Sequence, residues 1–184
     1  MKTIAVLFLI GVTMSLVSCE FVEELGILFT STDALVFVDP LTDGDFSGIG
    51  SFIIDGDTIM LTIEIEGLPP GDYAVHIHEY GDCSSPDGSS AGGHWNPTGV
   101  AHGRWGFGEF HLGDIGNITV GEDGAGIIEL TTDLWELGTG SDRDVVGKAI
   151  VLHAGADDFT SQPSGDAGAR IGCGVILLSE EVLE

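Results

Sequence analysis

Thr58-Ile59-Met60-Leu61-Thr62-Ile63-Glu64-Ile65-Glu66 alternates apolar and polar side chains from Leu61 onward. A period of two puts Leu61, Ile63 and Ile65 on one face, which predicts a half-buried β-strand. Just upstream, Asp55-Gly56-Asp57 has hairpin-turn chemistry and Gly48–Ile54 is a second short run. Downstream, Leu68-Pro69-Pro70-Gly71 makes a tight corner before a third run over Asp72–His78. Working outward, further strands are predicted at Ala34–Val38, Asn117–Val120, Gly126–Leu130, Lys148–His153 and Gly174–Leu178, with a turn at Glu122-Asp123-Gly124. No window carries a long amphipathic helix, and the 29 glycines gather between and beside the runs. The fold class is all-β, an eight-stranded antiparallel barrel or sandwich.

Two interruptions, Tyr80–Leu112 and Ala154–Ile171, are too long to be plain connections, and loops of that length are usually functional. The six histidines of the chain all lie on or beside them. His76 and His78 end a predicted strand, where residues i and i+2 share a face and can reach one ion. His94, His102, His111 and Asp114 follow at intervals of eight, nine and three residues. Three imidazoles and a carboxylate make a closed tetrahedral set suited to zinc. Gly99, Gly103, Gly106, Gly108 and Gly113 let the loop fold back around an ion. On spacing alone, that reading and a surface loop with scattered histidines both stand. His153 closes the array.

The flanks speak to location. Lys2, the apolar run Ile4 to Ile10 and Leu16-Val17-Ser18-Cys19 describe a secretory signal over residues 1–18, too short for a comfortable membrane span. Leu-Val-Ser-Cys also resembles a bacterial lipobox, which makes Cys19 the lipidation site; an ordinary secreted protein with a free Cys19 is the alternative. Residues 19–32 then form a tether, 33–179 the folded domain and 180–184 an acidic tail. The expected location is exported, periplasmic or at the cell surface, with membrane contact only through that anchor. A net charge of −25, one unit more negative without the leader, repels nucleic acid and anionic headgroups. With Cys19 set aside, Cys83 and Cys173 remain as an even pair. Export favours a disulfide between them; two buried thiols are the alternative.

Four segments together carry a resemblance: His76-Ile-His-Glu-Tyr-Gly-Asp-Cys83, Gly93-His-Trp-Asn-Pro97, His111-Leu-Gly-Asp-Ile-Gly-Asn117 and Gly165-Asp-Ala-Gly-Ala-Arg-Ile-Gly-Cys-Gly174. In order and spacing they resemble the signature segments of copper/zinc superoxide dismutases, from about Ala34 to Leu178. The resemblance implies a Greek-key barrel with a metal-binding loop and an electrostatic loop, holding one copper and one zinc ion per subunit. It implies copper on His76, His78, His94 and His153, and zinc on His94, His102, His111 and Asp114. His94 would bridge the two ions and carry a proton during turnover. The resemblance also makes Asp157 a carboxylate joining the two ligand sets, Arg170 the docking group for superoxide, and Cys83–Cys173 a disulfide.

One departure bears on catalysis. Ala154–Ala169 holds no Lys or Arg but has Asp157, Asp158 and Asp166, the last where the family pattern leads us to expect Asn. A strongly negative surface repels superoxide, while screening beyond about 8 Å leaves nearby charges dominant. The expectation is catalysis with weak steering. A dismutase-like copper-binding or copper-delivery lipoprotein is the rival reading; such a module could lose one copper ligand or the arginine, yet His153 and Arg170 are both present. A zinc hydrolase needs an open zinc position, which the closed set does not offer. A structural lipoprotein with a vestigial site is separated from an enzyme only by assay. The sequence leaves pairing into a homodimer open.

Overall fold

A computed structural model of the protein describes residues 32–183. The eight predicted runs all form strands: β1 Ala34–Pro40, β2 Ser47–Asp55, β3 Thr58–Glu66, β4 Gly71–His78, β5 Gly116–Val120, β6 Ala125–Thr132, β7 Ala149–His153 and β8 Arg170–Val175. A two-residue strand, β9 Leu177–Leu178, continues β8, and the expected acidic tail begins as a short helix, α1 Ser179–Leu183. Every strand pairing is antiparallel. The order runs β2-β3-β6-β5-β4-β7-β8-β1, and β1 pairs with β2 again, so the sheet closes into a barrel. The β3–β4 and β6–β7 connections each cross over two strands, which makes the barrel a Greek key.

β3 follows its sequence pattern: Ile59, Leu61, Ile63 and Ile65 are buried, while Met60, Glu64 and Glu66 face solvent. They join Val36, Phe52, Ile118, Ile150 and Leu152 in one core cluster. Full burial of each such side chain contributes about 1.5–3 kcal/mol. β4 breaks the alternation at its end, where His76, Ile77 and His78 are all buried. Ile77 belongs to the core cluster. The two histidines point outward, and they are buried because the long loops lie over that outer face.

The last strand starts earlier than predicted. Gly172 and Cys173 already pair with Pro40 and Asp39, and Arg170 pairs with His153. The second interruption therefore ends at Ala169, and Arg170 is fixed on a strand instead of hanging in a loop. Gly-Cys-Gly lacks the apolar alternation that marks a strand, because backbones approach too closely here for side chains. A Cβ on Gly174 would lie 2.1 Å from the Phe37 carbonyl oxygen.

A third long connection, residues 133–148, plugs the barrel. Trp135 is buried and its Nε1 donates to the Leu112 carbonyl at 2.9 Å. Buried Asp144 ties the segment together by accepting from the amides of Gly138, Gly140 and Val146. Cys83 and Cys173 form a disulfide with Cα atoms 5.7 Å apart. It closes a separation of 90 residues, worth on the order of 4 kcal/mol by chain entropy. The predicted leader, Cys19 and the predicted tether up to residue 31 lie outside the described residues.

Candidate metal centre

The predicted histidines converge. His76, His78, His94 and His153 form one buried set, and His94, His102, His111 and Asp114 a second, with the donor atoms of each set within 4.8 Å of one another. His94 belongs to both, its ring centroid lying 3.9 Å from that of His76, 5.4 Å from His102 and 5.7 Å from His111.

Different parts of the fold deliver the two sets. His76 and His78 come from β4, and His153 ends the neighbouring β7. His94 is carried into place by backbone pairing: it bridges to His78, the Trp95 amide donates to the Ile77 carbonyl at 2.8 Å, and the Gly113 amide donates to the Trp95 carbonyl at 3.0 Å. His102, His111 and Asp114 lie on the β4–β5 connection, outside any strand. There the His111 and Gly103 amides donate to Asp114 Oδ2, at 2.8 and 3.1 Å.

One nitrogen of each outer histidine is held and the other is aimed inward. Asp157 takes His76 Nε2 on Oδ2 and His102 Nε2 on Oδ1, each at 2.9 Å. Backbone carbonyls of Gly92, Val100 and Gly168 take His78 Nδ1, His111 Nε2 and His153 Nδ1. Such contacts fix both the tautomer and the ring orientation. The opposite nitrogens, His76 Nδ1, His78 Nε2, His102 Nδ1, His111 Nδ1 and His153 Nε2, are buried without a hydrogen-bond partner, as is His94 Nε2. His102 Nδ1 and His111 Nδ1 do lie 3.0 and 3.2 Å from Asp114, without hydrogen-bond geometry. His94 is the exception in kind, since its Nδ1 meets Asp114 Oδ1 at 2.8 Å and its Nε2 faces the first set.

Leaving six buried donor atoms unsatisfied is costly, and lone pairs converging on two points are what metal ions require. The protonation states agree. Burial lowers His78 to about 2, His94 to about 4 and His153 to about 3, so these rings are neutral, lone pairs free, at neutral pH. For Asp114 burial acts upward, but the neighbouring His111 and His94 imidazoles and the Gly103 and His111 amides prevail and hold it well below the carboxylate range. Asp157 is lowered likewise, burial being outweighed by His76, the Phe159 amide and His102.

A cleft of ≈ 570 Å³ reaches His78, His94 and His153, and its charged walls are Glu79 and Arg170. The Arg170 guanidinium donates to the carbonyls of Gly88 and Gly92, the latter at 2.6 Å. The acidic residues of the 154–169 connection do not line the cleft. Asp157 holds histidines, Asp158 caps its own turn through Thr160 and Ser161, and Asp166 does not line the cleft.

Several supporting residues gave no sequence signal of this role. Glu79 and Gln162 line the cleft. Asn117, formally a glycosylation sequon, clamps the Asp157 backbone: its Nδ2 donates to the carbonyl at 2.9 Å and its Oδ1 accepts from the amide at 2.7 Å. Gly165 has a φ of 70°, and a Cβ there would meet Asp157 Oδ1 at 1.8 Å.

The copper/zinc superoxide dismutase family model matches residues 48–176. A curated relative, superoxide dismutase [Cu-Zn] 2 of Aquifex aeolicus, is 37% identical over 139 residues, covering 73% of this chain and 81% of its own. Superoxide dismutase [Cu-Zn] of Caulobacter vibrioides is 42% identical over 123 residues, covering 64% and 71%. Among solved structures, one described as the clock protein EA4 superposes with a TM-score of 0.71 at 32% identity, covering 83% of this chain and 98% of that one.

Proposed function

The chain belongs to the copper/zinc superoxide dismutase family, and from that membership we propose how its own residues dismutate superoxide. Two superoxide anions and two protons give one molecule of oxygen and one of hydrogen peroxide. Copper and zinc are the family's ions, and the two donor sets fit them. Four imidazoles suit copper, while three imidazoles with a carboxylate suit zinc. When bound, copper supplies one-electron exchange between Cu(II) and Cu(I), and zinc supplies charge and order without redox change.

In our reading His76, His78, His94 and His153 hold copper, and His94, His102, His111 and Asp114 hold zinc. Arg170 docks the anion. Its guanidinium is pinned by two carbonyls at the cleft wall, so it presents a fixed positive charge at little entropic cost. His94 handles the proton: Nδ1 is kept on the Asp114 side, and Nε2 faces the cleft-side set, where it takes up a proton and passes it to the reduced substrate. Asp157 keeps His76 and His102 in one tautomer each, so both sets are oriented by one carboxylate.

The single observation that carries this reading is the convergence of six partnerless imidazole nitrogens on two points that share His94. Metal analysis and a superoxide assay of the protein and of His153→Ala test it. The variant should lose at least about a hundredfold in activity while keeping zinc. Activity that survived would overturn the assignment.

The disulfide fits a protein that folds outside the reducing cytosol. Together with the lipobox-like Leu16-Val17-Ser18-Cys19, it supports residues 1–18 as an export signal and Cys19 as a lipid anchor ahead of a 33–179 domain. Mass spectrometry of membrane fractions decides this, because an unmodified Cys19 would rule the anchor out.

A further inference from the structure

We propose that Gln162 is a positioning residue for the zinc-binding side of the centre, acting through the backbone of His102; this rests on the reading that His102 ligates zinc. The His102 amide donates to Gln162 Oε1 at 2.9 Å, and Gln162 Nε2 donates back to the His102 carbonyl at 2.9 Å. One side-chain amide thus pairs with both main-chain groups of a ligand residue, as a neighbouring strand would. The same Nε2 also reaches the Thr160 carbonyl at 3.3 Å, which ties the clamp into its own loop.

The residues around it show why the clamp matters. His94 is fixed by backbone pairing to β4, and His111 by contacts with Asp114 and Val100 inside its own loop. His102 has no strand beneath it. Its fixed points come from the 154–169 connection: Gln162 holds its backbone, and Asp157 holds its Nε2. Gly165 closes over the same imidazole, since a Cβ there would lie 2.8 Å from His102 Nε2. Two amide clamps therefore work as a pair across the two loops. Asn117 grips the backbone of the carboxylate residue, and Gln162 grips the backbone of the ligand residue. Gln162 also lines the substrate cleft. The residue is exposed, so its sequence position alone carries no hint of this role.

The chemistry requires an amide. A glutamate in the same place keeps the acceptor for the His102 amide but sets a second acceptor against the His102 carbonyl. The experiment is a chelator competition measuring zinc and copper affinities separately in the whole protein, for Gln162→Glu and Gln162→Ala. Zinc affinity should fall about 10–100-fold, the usual effect of losing an outer contact to a ligand, while copper affinity changes less than about threefold. Cobalt placed in the zinc position should show an altered visible spectrum in both variants. Zinc affinity within about twofold of the parent would overturn the proposal. So would equal losses at both metals accompanied by a lower melting temperature of the metal-free protein, which would mark a general fold defect. His111→Ala is the control for the underlying reading: if it left the parent zinc affinity unchanged, the ligand assignment would fail, whatever Gln162 does.

Discussion

The two halves of the metal centre are built by different means. Three of the four donors in the cleft-side set stand on strands or at a strand end, where register fixes them: His76 opposite Val151, His78 opposite Ala149, and His153 closing β7. The other set takes His102, His111 and Asp114 from a connection with no strand of its own, held by carboxylates, amides and glycines. Barrel positions keep their place because about 1.5–3 kcal/mol of burial per core side chain stands behind them. Loop positions keep theirs through a handful of hydrogen bonds worth about 1 kcal/mol each. On the proposed assignment, redox chemistry belongs to the stiff half, and the half assigned to structure and charge is the one that depends on its neighbours.

Asp157→Asn tests this contrast most severely, because Asp157 touches one ligand of each half. Asparagine keeps the shape but cannot accept from both His76 and His102. Zinc affinity should fall about 10–100-fold, and copper affinity by less, because β4 still holds His76. Equal losses, measured by competition with a chelator, would erase the distinction between strand-held and loop-held ligands. Arg170→Ala comes next. The arginine stands on β8 and touches no donor atom, so metal content should stay whole while kcat/KM drops about tenfold or more. A loss of metal would mean that Arg170 works by holding its loop together.

The sequence displayed the stiff half well and the supported half poorly, for a physical reason. Strand periodicity is written in side-chain polarity, so Leu61, Ile63 and Ile65 announced the barrel, and His-x-His at the end of β4 announced two donors sharing a face. Where backbone approach replaces side-chain packing, the pattern vanishes, as at Gly172-Cys173-Gly174, so the strand begins at Arg170, ahead of any apolar alternation. Residues that act through their amides read as ordinary polar loop positions. Gln162 is of this kind, and Asn117 reads as the start of a strand; the folded 154–169 connection brings them to His102 and Asp157. The acidity of the 154–169 connection is legible in the sequence, but where each carboxylate goes is not. Asp157 and Asp158 make internal bonds, Asp166 is exposed away from the cleft lining, and the carboxylate beside the cleft is Glu79, from the other loop. Asp166 has φ 50°, a left-handed conformation that Asn and Asp share, so it can replace the expected Asn without strain on the backbone.

Acid probes the cleft-side set of the metal-free protein, including the shared His94. His78, His94 and His153 are held at about 2, 4 and 3 by burial, against about 6.5 in an unfolded chain. Above 6.5 neither state binds these protons and the stability is whole. As pH falls through 6.5, the unfolded chain takes up protons that the folded one refuses, so stability drops by up to about 1.4 kcal/mol per group per pH unit. Between pH 7 and 5 the melting temperature of chelator-treated protein should fall on the order of 10 °C. A flat profile would show that the imidazoles are solvated and not preformed. Zinc added back should raise the curve without removing its slope, because the folded sites already exclude protons in this range and the uptake belongs to the unfolded chain.

The smallest effect bears on how the two loops are joined away from the donors. Arg104 lies with its guanidinium 5.0 Å from the Phe107 ring centroid and 5.4 Å from that of Phe159. It therefore spans the loop that carries His102 and the loop that carries Asp157. Phe159 is not remote from the site, since its amide donates to Asp157 Oδ1 at 2.7 Å. An exposed cation–π contact is worth about 0.5–1 kcal/mol, which lowers the melting temperature by only about 2–4 °C when removed. Arg104→Ala should therefore leave the strands untouched and act locally, raising amide hydrogen exchange at Phe159 several-fold while the amides of β3 and β4 keep their protection. Uniform exchange across strands and loops would contradict the contrast drawn above, because it would mean that the loops melt only with the barrel. A change confined to Phe159 and its neighbours would place the weakest joint of the centre at the seam between the loops, one hydrogen bond away from the carboxylate that touches a histidine of each set.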